Sequence, residues 1–231
     1  MVDGYNPVPV QYRQSASAIA SYSFKDIASN TGIITFYGAN STNETLHSLT
    51  TTSPYSETVL TVGTITSDTA TKVIDLDFDV VMNTQRTLNG NLVASVPFGI
   101  AYKETSTDVG ELYIIVKLRK WDGTSETEIA NAQGKNLRSV GSNSPKTIDA
   151  ITVAVTNSVI KSGETLRITI ELWALKLAGT NGMEAMLGHD PQNRITCLWN
   201  TINGGDTRDY TFGADDPTAL KFDVPFKLVD L

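Results

Sequence analysis

The stretch Thr165-Leu166-Arg167-Ile168-Thr169-Ile170-Glu171-Leu172-Trp173 alternates strictly between polar and apolar side chains. The apolar residues at positions 166, 168, 170 and 172 share one parity, whereas threonine, arginine and glutamate occupy the other. Successive side chains of a β-strand point to opposite faces of the sheet. This period of two therefore predicts a strand with one buried face and one solvated face.

The same alternation recurs along the chain between short turn signals such as Asn89-Gly90, Asp122-Gly123 and Ser162-Gly163. Many short strands separated by turns are typical of a sandwich or a barrel. We therefore predict an all-β, jelly-roll-like antiparallel β-sandwich of about ten strands. The predicted strands cover residues 18–24, 32–38, 57–65, 72–82, 92–102, 111–121, 147–156, 165–177, 194–199 and 219–229.

The first residues carry prolines at alternate positions, Pro7 and Pro9, which favours an extended arm over a packed strand. The predicted organisation is an extended N-terminal arm over residues 1–16 and a single β-sandwich domain over residues 17–231. The longer connections are expected to be binding surfaces or to lie against partners. Within one of them, the segment from Thr180 to Leu187 is predicted to form a short helix.

Composition excludes several classes of partner. The 231 residues contain 25 acidic and 18 basic side chains, which gives a formal charge of −7, so nucleic-acid binding is not expected. No apolar run is long enough to span a membrane, and no cleaved export signal is recognised, so no membrane association is predicted. The single cysteine, Cys197, excludes an intrachain disulfide and is expected to be a small buried side chain. No cofactor is predicted.

Three aspartates, Asp75, Asp77 and Asp79, share one face of the strand predicted from Lys72 to Met82. Like charges on neighbouring positions destabilise a sheet unless cations lie opposite them. The first interpretation is a cross-strand charge ladder, with Lys117, Arg119 and Arg167 as the cations. The alternative is a calcium site, because hard cations bind several carboxylate oxygens.

Catalytic residues are not predicted. His47 and His189 are the only histidines, and adjacent residues such as His189 and Asp190 in an extended loop point in opposite directions. No nucleophile elbow, phosphate-binding glycine loop or zinc-binding helix motif is present. The chain is therefore predicted not to be an enzyme. An enzyme on a sandwich scaffold would need histidines and carboxylates that converge on one pocket.

Three tryptophans, Trp121, Trp173 and Trp199, raise the alternative of a carbohydrate-binding adhesin or receptor-binding module, since sugar sites stack rings on exposed aromatics. Aromatic side chains at strand ends also serve as lids of the core or as interface anchors. Exposed tryptophan and tyrosine side chains arranged in a planar row would favour the sugar-binding alternative.

Several stretches together resemble β-rich, jelly-roll-type virion structural proteins of tailed double-stranded DNA viruses. They are residues 32–38 (Gly-Ile-Ile-Thr-Phe-Tyr-Gly), 75–79 (Asp-Leu-Asp-Phe-Asp), 163–167 (Gly-Glu-Thr-Leu-Arg), 189–191 (His-Asp-Pro) with 193–194 (Asn-Arg), and 224–228 (Val-Pro-Phe-Lys-Leu). The resemblance implies a non-enzymatic bacteriophage component, such as a capsid decoration protein, a minor capsid protein or a tail protein. It also implies a homo-oligomer, trimeric or higher, that docks on other capsid or tail proteins.

The resemblance further implies a location in the virion after assembly in the host cytoplasm. Exposed sheet edges, loops and the arm would then form the contacts between subunits. The candidate interface residues are Tyr5, Pro7, Pro9, Tyr12, Trp121 and His189.

Overall fold

The computed structural model of the chain describes residues 20–21, 31–40, 47–56, 58–102, 108–140, 145–179, 182–192, 197–203, 206–212 and 218–228. Fifteen strands lie in these ranges and no α-helix does. The predicted all-β class is therefore confirmed. No helix in the described ranges has the length and apolar character needed to cross a membrane. The predicted arm over residues 1–16 lies outside the described residues.

The strands are β1 (Ala20–Ser21), β2 (Thr31–Asn40), β3 (His47–Thr50), β4 (Leu60–Ile65), β5 (Thr71–Val81), β6 (Arg86–Tyr102), β7 (Val109–Trp121), β8 (Glu126–Gln133), β9 (Leu137–Val140), β10 (Lys146–Ile160), β11 (Thr165–Ala178), β12 (Met183–Gly188), β13 (Cys197–Asn203), β14 (Asp206–Phe212) and β15 (Lys221–Lys227).

Thirteen of these strands form one sheet in the order β4-β12-β6-β15-β2-β3-β5-β11-β7-β8, with β1, β9 and β10 attached to β2, β7 and β6. Every described pairing is antiparallel except the parallel contact of β3 with β5. Strands β13 and β14 form a separate hairpin. The four-residue β3 therefore joins two groups of strands, one from β4 to β2 and one from β5 to β8.

The two groups face each other across a common core. A Cβ atom added to Gly110 in β7 would lie 2.5 Å from the sulfur of Met183 in β12 and 3.0 Å from Ile100 in β6. Likewise, the rings of Phe78 in β5 and Phe222 in β15 lie 6.0 Å apart. The sheet thus folds over itself, and its two layers bury their apolar faces against each other, as in a β-sandwich.

Strand β11 lies at the centre of the second group, hydrogen-bonded to β5 on one side and to β7 on the other. The four residues predicted to face the core, at positions 166, 168, 170 and 172, are fully buried. On the opposite face, Thr169 and Glu171 are also buried. The predicted solvated face of this strand is therefore covered at its middle by neighbouring polar side chains.

The helix predicted from Thr180 to Leu187 is wrong for the described part of that segment, because residues 183–188 form strand β12. β12 is hydrogen-bonded to both β4 and β6, and all six of its residues are buried. A strand that is buried on both faces has no exposed face that requires polar residues, so polar and apolar side chains do not alternate along it.

Of the three turns predicted from glycine dipeptides, the structure contains two. Asp122-Gly123 and Ser162-Gly163 form the predicted turns, and both glycines have the positive φ that such turns require. Asn89-Gly90 does not form a turn, because both residues lie within the seventeen-residue strand β6. Gly90 adopts a φ of 123° opposite Val155, next to the register shift between β6 and β10. A glycine within a strand often marks such an irregularity.

Gly179, at the end of β11, provides a test of this packing. Its φ is +101°, and an added Cβ would overlap the side chain of Asp108 and lie 2.8 Å from its Cα. Gly123 has a similar φ of +99° but nothing within 4 Å. We expect Gly123→Ala to cost about 1 kcal/mol through backbone conformation alone. Gly179→Ala should cost at least about 2 kcal/mol more, because the buried neighbour must move.

Urea unfolding followed by circular dichroism measures both variants on the same scale. Equal losses of unfolding free energy would show that a Cβ atom at position 179 does not overlap the side chain of Asp108.

Candidate functional site

Both histidines of the chain lie side by side in the fold. His47 is the first residue of β3, and its backbone pairs with Phe78 of β5. His189 follows the end of β12, where its N–H donates to the carbonyl of Val59. The two ring centroids are 5.5 Å apart with an interplanar angle of 86°. Segments far apart in the sequence thus bring two imidazoles into contact.

A hydroxyl group completes the cluster. The Oγ1 atom of Thr61 in β4 lies 2.9 Å from Nε2 of His189, which is hydrogen-bonding distance. The ring of His189 is fully buried, whereas Thr61 and His47 are half-buried. Nδ1 of His189 has no hydrogen-bond partner among the described residues. We call Thr61, His189 and His47 the histidine cluster.

Burial keeps the histidine cluster uncharged. Desolvation lowers the pKa of His189 to about 4, and the neighbouring His47 contributes in the same direction. Desolvation also lowers the pKa of His47, although the negative charge of Asp77 partly opposes this shift. Both rings are therefore neutral imidazoles at pH 7, the form that can accept a proton or bind a metal ion.

Among the hydrogen bonds of the described residues, no carboxylate is seen to bind either imidazole ring of the cluster. The backbone of Asp190 is held by the carbonyl of Thr218, and its carboxylate accepts a hydrogen bond from the N–H of Gln192. In the described ranges, no group of three or more histidine, cysteine, aspartate or glutamate side chains is arranged to hold a metal ion. Within the described ranges, the cluster thus consists of one hydroxyl group and two imidazoles.

The aspartates of β5 face cations. Asp79 binds the guanidinium of Arg167 through two hydrogen bonds of 2.8 and 2.7 Å. Asp77 accepts a hydrogen bond from Thr169 and lies 3.4 Å from the same guanidinium. Asp75 is bound by Lys72. The predicted cross-strand pairing is present for Arg167, which binds two of these aspartates, whereas Asp75 pairs with Lys72 of its own strand. The other two predicted cations, Lys117 and Arg119, bind Glu171 and Glu126 instead. These contacts engage the carboxylates that the calcium alternative would need.

Glu171 lies at the middle of this ladder and is 2% exposed. Its carboxylate accepts hydrogen bonds from Lys117 at 2.8 Å, from the indole of Trp173 at 2.9 Å and from Lys72 at 3.2 Å. Desolvation alone would raise the pKa of Glu171, but these three donors together outweigh it and lower the pKa to about 2. The buried charge is therefore compensated within the chain.

The predicted interface residues fall into three groups. His189 is buried inside the chain, in contact with Thr61 and His47. Trp121 is half-buried at the end of β7, with the guanidinium of Arg167 5.9 Å from its ring centre, and its interface role stays a prediction. Tyr5, Pro7, Pro9 and Tyr12 lie outside the described residues.

Among the aromatic residues considered for sugar binding, Trp173 donates to the buried Glu171 and is half-buried. The side chain of Trp199 is not among those that the structure describes. No feature of the local sequence singles out Thr61, which is one of many threonines in predicted strands. Its proximity to His189 depends on the pairing of β4 with β12, and no local pattern encodes that pairing.

No protein-family model matches the sequence. No curated protein matches it either. Several solved structures are similar to this chain. An alpha-amino acid ester hydrolase is similar over 83% of this chain at 8% identity, with a TM-score of 0.50. A CocE/NonD family hydrolase from Staphylococcus aureus is similar over 92% at 12% identity, with a TM-score of 0.45. An aminopeptidase from a Thaumarchaeota archaeon of marine sediment is similar over 82% at 8% identity, with a TM-score of 0.45.

This chain spans 36–37% of the length of these three proteins. The prediction of a non-enzymatic virion structural protein, together with its capsid and decoration roles, is corrected, because the solved structure with the TM-score of 0.50 is that of an alpha-amino acid ester hydrolase. At 8% identity the likeness to the ester hydrolase shows the shared fold, and the two TM-scores below 0.5 add nothing to it. The homo-oligomeric state and the location in the virion stay predictions from the sequence.

The buried Glu171 predicts a specific loss of stability. Glu171→Gln keeps the size of the side chain but removes the charge that Lys117 and Lys72 require. We expect a loss of roughly 2–4 kcal/mol, because a buried ion pair loses one partner. The matched control is Asp75→Asn, which removes an exposed partner of Lys72 and should cost less than about 1 kcal/mol. Urea denaturation at pH 7 compares the variants, and equal effects would contradict a special role for Glu171.

The lowered pKa of His189 predicts a pH dependence. The unfolded imidazole binds a proton below its ordinary pKa of 6.5, whereas the folded one does so only near pH 4. The neutral ring of His189 should therefore contribute its full stabilisation above pH 6.5. The free energy of unfolding should fall by roughly 2 kcal/mol as the pH decreases to 4.5. The variant His189→Asn should lose most of this slope. Urea unfolding at pH 7.0 and 4.5 tests it, and an unchanged slope in the variant would assign the effect to other groups.

Proposed function

We propose that this chain is the β-sandwich part of a hydrolase and takes part in the hydrolysis of ester bonds through its histidine cluster. The observation that carries the proposal is the 2.9 Å contact between Oγ1 of Thr61 and Nε2 of His189. A hydroxyl beside a neutral imidazole is the arrangement by which proteins activate an oxygen nucleophile. In this proposal Thr61 is the nucleophile and His189 is the general base.

The chemistry requires the tautomer of His189 that carries its proton on Nδ1. Nε2 then accepts the hydrogen bond from Thr61 and takes the hydroxyl proton as Oγ1 attacks the acyl carbon. The imidazolium returns this proton to the departing alcohol. Water then attacks the acyl-threonine ester with the same base, which releases the acid and regenerates the hydroxyl.

The surroundings support this division of roles. Thr61 is half-buried, whereas the ring of His189, on which the proposal places the base, is buried and shielded from water. The pKa of His189 is lowered to about 4, so the ring is unprotonated and ready to act as a base at pH 7. A base with so low a pKa is also a weak one, which limits the rate of proton transfer.

The cluster differs from a complete Ser-His-Asp arrangement at its third position. Nδ1 of His189 has no hydrogen-bond partner among the described residues, so no described carboxylate orients the ring. Loss of that carboxylate in a complete triad lowers the rate by about 10⁴. We therefore expect the chain alone to be a slow esterase. The ester substrate class is part of the proposal and is suggested by the name of the alpha-amino acid ester hydrolase that shares the fold.

The test is hydrolysis of p-nitrophenyl acetate by the purified chain at pH 7.5, with an amino acid methyl ester as a second substrate. Thr61→Val removes the hydroxyl and keeps the side-chain shape, so the rate should fall on the order of 100-fold. His189→Asn should give a similar loss. The matched control is Thr64→Val, which changes an exposed threonine of the same strand and should leave the rate unchanged.

Circular dichroism establishes that each variant is folded before its rate is compared. The proposal fails if the wild-type rate equals that of buffer, or if Thr61→Val and Thr64→Val hydrolyse the ester equally fast.

A further inference from the structure

We infer that His47 and His189 together form a two-imidazole binding site for a late first-row divalent metal ion, of which Zn²⁺ is the representative. The chain contains only these two histidines, and the fold brings their rings together from distant strands. This inference does not depend on the hydrolase proposal, because it concerns a different nitrogen of His189 and has its own readout.

The separation of the rings fits a shared ion. A zinc–nitrogen bond is about 2.1 Å long, which puts the ion about 3 Å from the centre of each imidazole ring. Two such rings on one ion, at angles between tetrahedral and trigonal, have their centres about 5 to 5.5 Å apart. The observed separation of the ring centroids is 5.5 Å.

A donor atom is available in the buried ring. Nδ1 of His189 is buried and has no hydrogen-bond partner among the described residues. Buried polar atoms are nearly always satisfied, so an unpartnered nitrogen in a fully buried imidazole is an exception that needs a cause. A metal ion bound to its lone pair supplies one.

Thr61 holds the ring in the orientation that a ligand needs. Metal-binding histidines usually donate their second N–H to an oxygen acceptor, which fixes the tautomer. Here Oγ1 of Thr61 lies 2.9 Å from Nε2 of His189 and can accept that proton, which leaves Nδ1 free for the ion. In this state Nε2 is protonated and cannot take a proton from Thr61. Metal binding and the general-base role of His189 therefore exclude each other.

Imidazole nitrogens select the metal class. They bind Zn²⁺, Ni²⁺ and Cu²⁺ well, whereas Mg²⁺ and Ca²⁺ prefer oxygen ligands. Water completes the coordination, because no third histidine, cysteine, aspartate or glutamate joins the two rings within the described ranges. We therefore expect a dissociation constant in the micromolar range, weaker than that of a structural zinc site.

The experiment is a titration of the untagged Cys197→Ser chain with Zn²⁺ against a chromophoric zinc indicator at pH 7.5. The substitution removes the single thiol as a competing ligand. We expect binding of one ion per chain. The variant His47→Phe keeps an aromatic ring against Phe78, with which His47 now packs at 5.1 Å, but removes a ligand. It should weaken binding at least tenfold, and Mg²⁺ should not compete.

Proton NMR of the imidazole signals in the Cys197→Ser protein gives a second readout that does not depend on fold stability, because zinc should shift the signals of both histidines. Absence of binding at 100 μM Zn²⁺, or equal affinity in the His47→Phe variant, would overturn the inference.

The outcomes for the two proposals are distinguishable. Zinc binding without measurable esterase activity supports the metal site and removes the hydrolase proposal. Esterase activity without zinc binding does the reverse. If both hold, stoichiometric Zn²⁺ should inhibit ester hydrolysis, since the ion fixes the tautomer in which His189 cannot act as a base.

Discussion

The structure depends on the central position of strand β11. This strand is hydrogen-bonded along most of its length to β5 and to β7, so its own alternation fixes the register of two neighbours at once. A shift of one residue would move four fully buried aliphatic side chains out of the core and would put Arg167 into it. The same register places Arg167 opposite Asp79 and Thr169 opposite Asp77. Core packing and the charge ladder are thus two results of one pairing.

The charge ladder is more than a solvated surface. Its central carboxylate, Glu171, is as inaccessible as many core residues, yet it keeps its charge because two ammonium groups and an indole N–H surround it. Such an arrangement tolerates little change, since removal of one partner leaves a charge in a place where water cannot replace the lost bond. The polar face therefore contributes to the specificity of the fold as well as to its solubility.

The sequence predicted those parts of the fold in which one face is buried and the other is polar. The core residues of β5 and β11 follow from parity alone, and the turns at Gly123 and Gly163 follow from the need for a positive φ. Strand β12 could not be predicted in this way because it is buried on both faces. The histidine cluster could not be predicted for another reason: it is made by contacts between segments that are distant in the sequence.

The predicted function was wrong because it rested on a general resemblance in strand pattern and a few short stretches. Alternating strands with polar turns occur in proteins of many different functions. A fold constrains which surfaces exist, whereas an activity depends on a few side chains at one place. In this chain the two histidines and a threonine hydroxyl come together only in the folded structure.

The parallel contact between β3 and β5 has a mechanical consequence. Strand β3 has four residues, pairs with β5 at two of them, and in the described part of the chain it alone connects the two groups of strands within the sheet. Few hydrogen bonds hold such a short ladder, and native proteins open by local unfolding where the structure is least stabilised. Since His47 is the first residue of β3, such an opening would carry one imidazole away from the other while both layers stay folded. The contact between the two imidazole rings therefore depends on the two-residue pairing of β3 with β5.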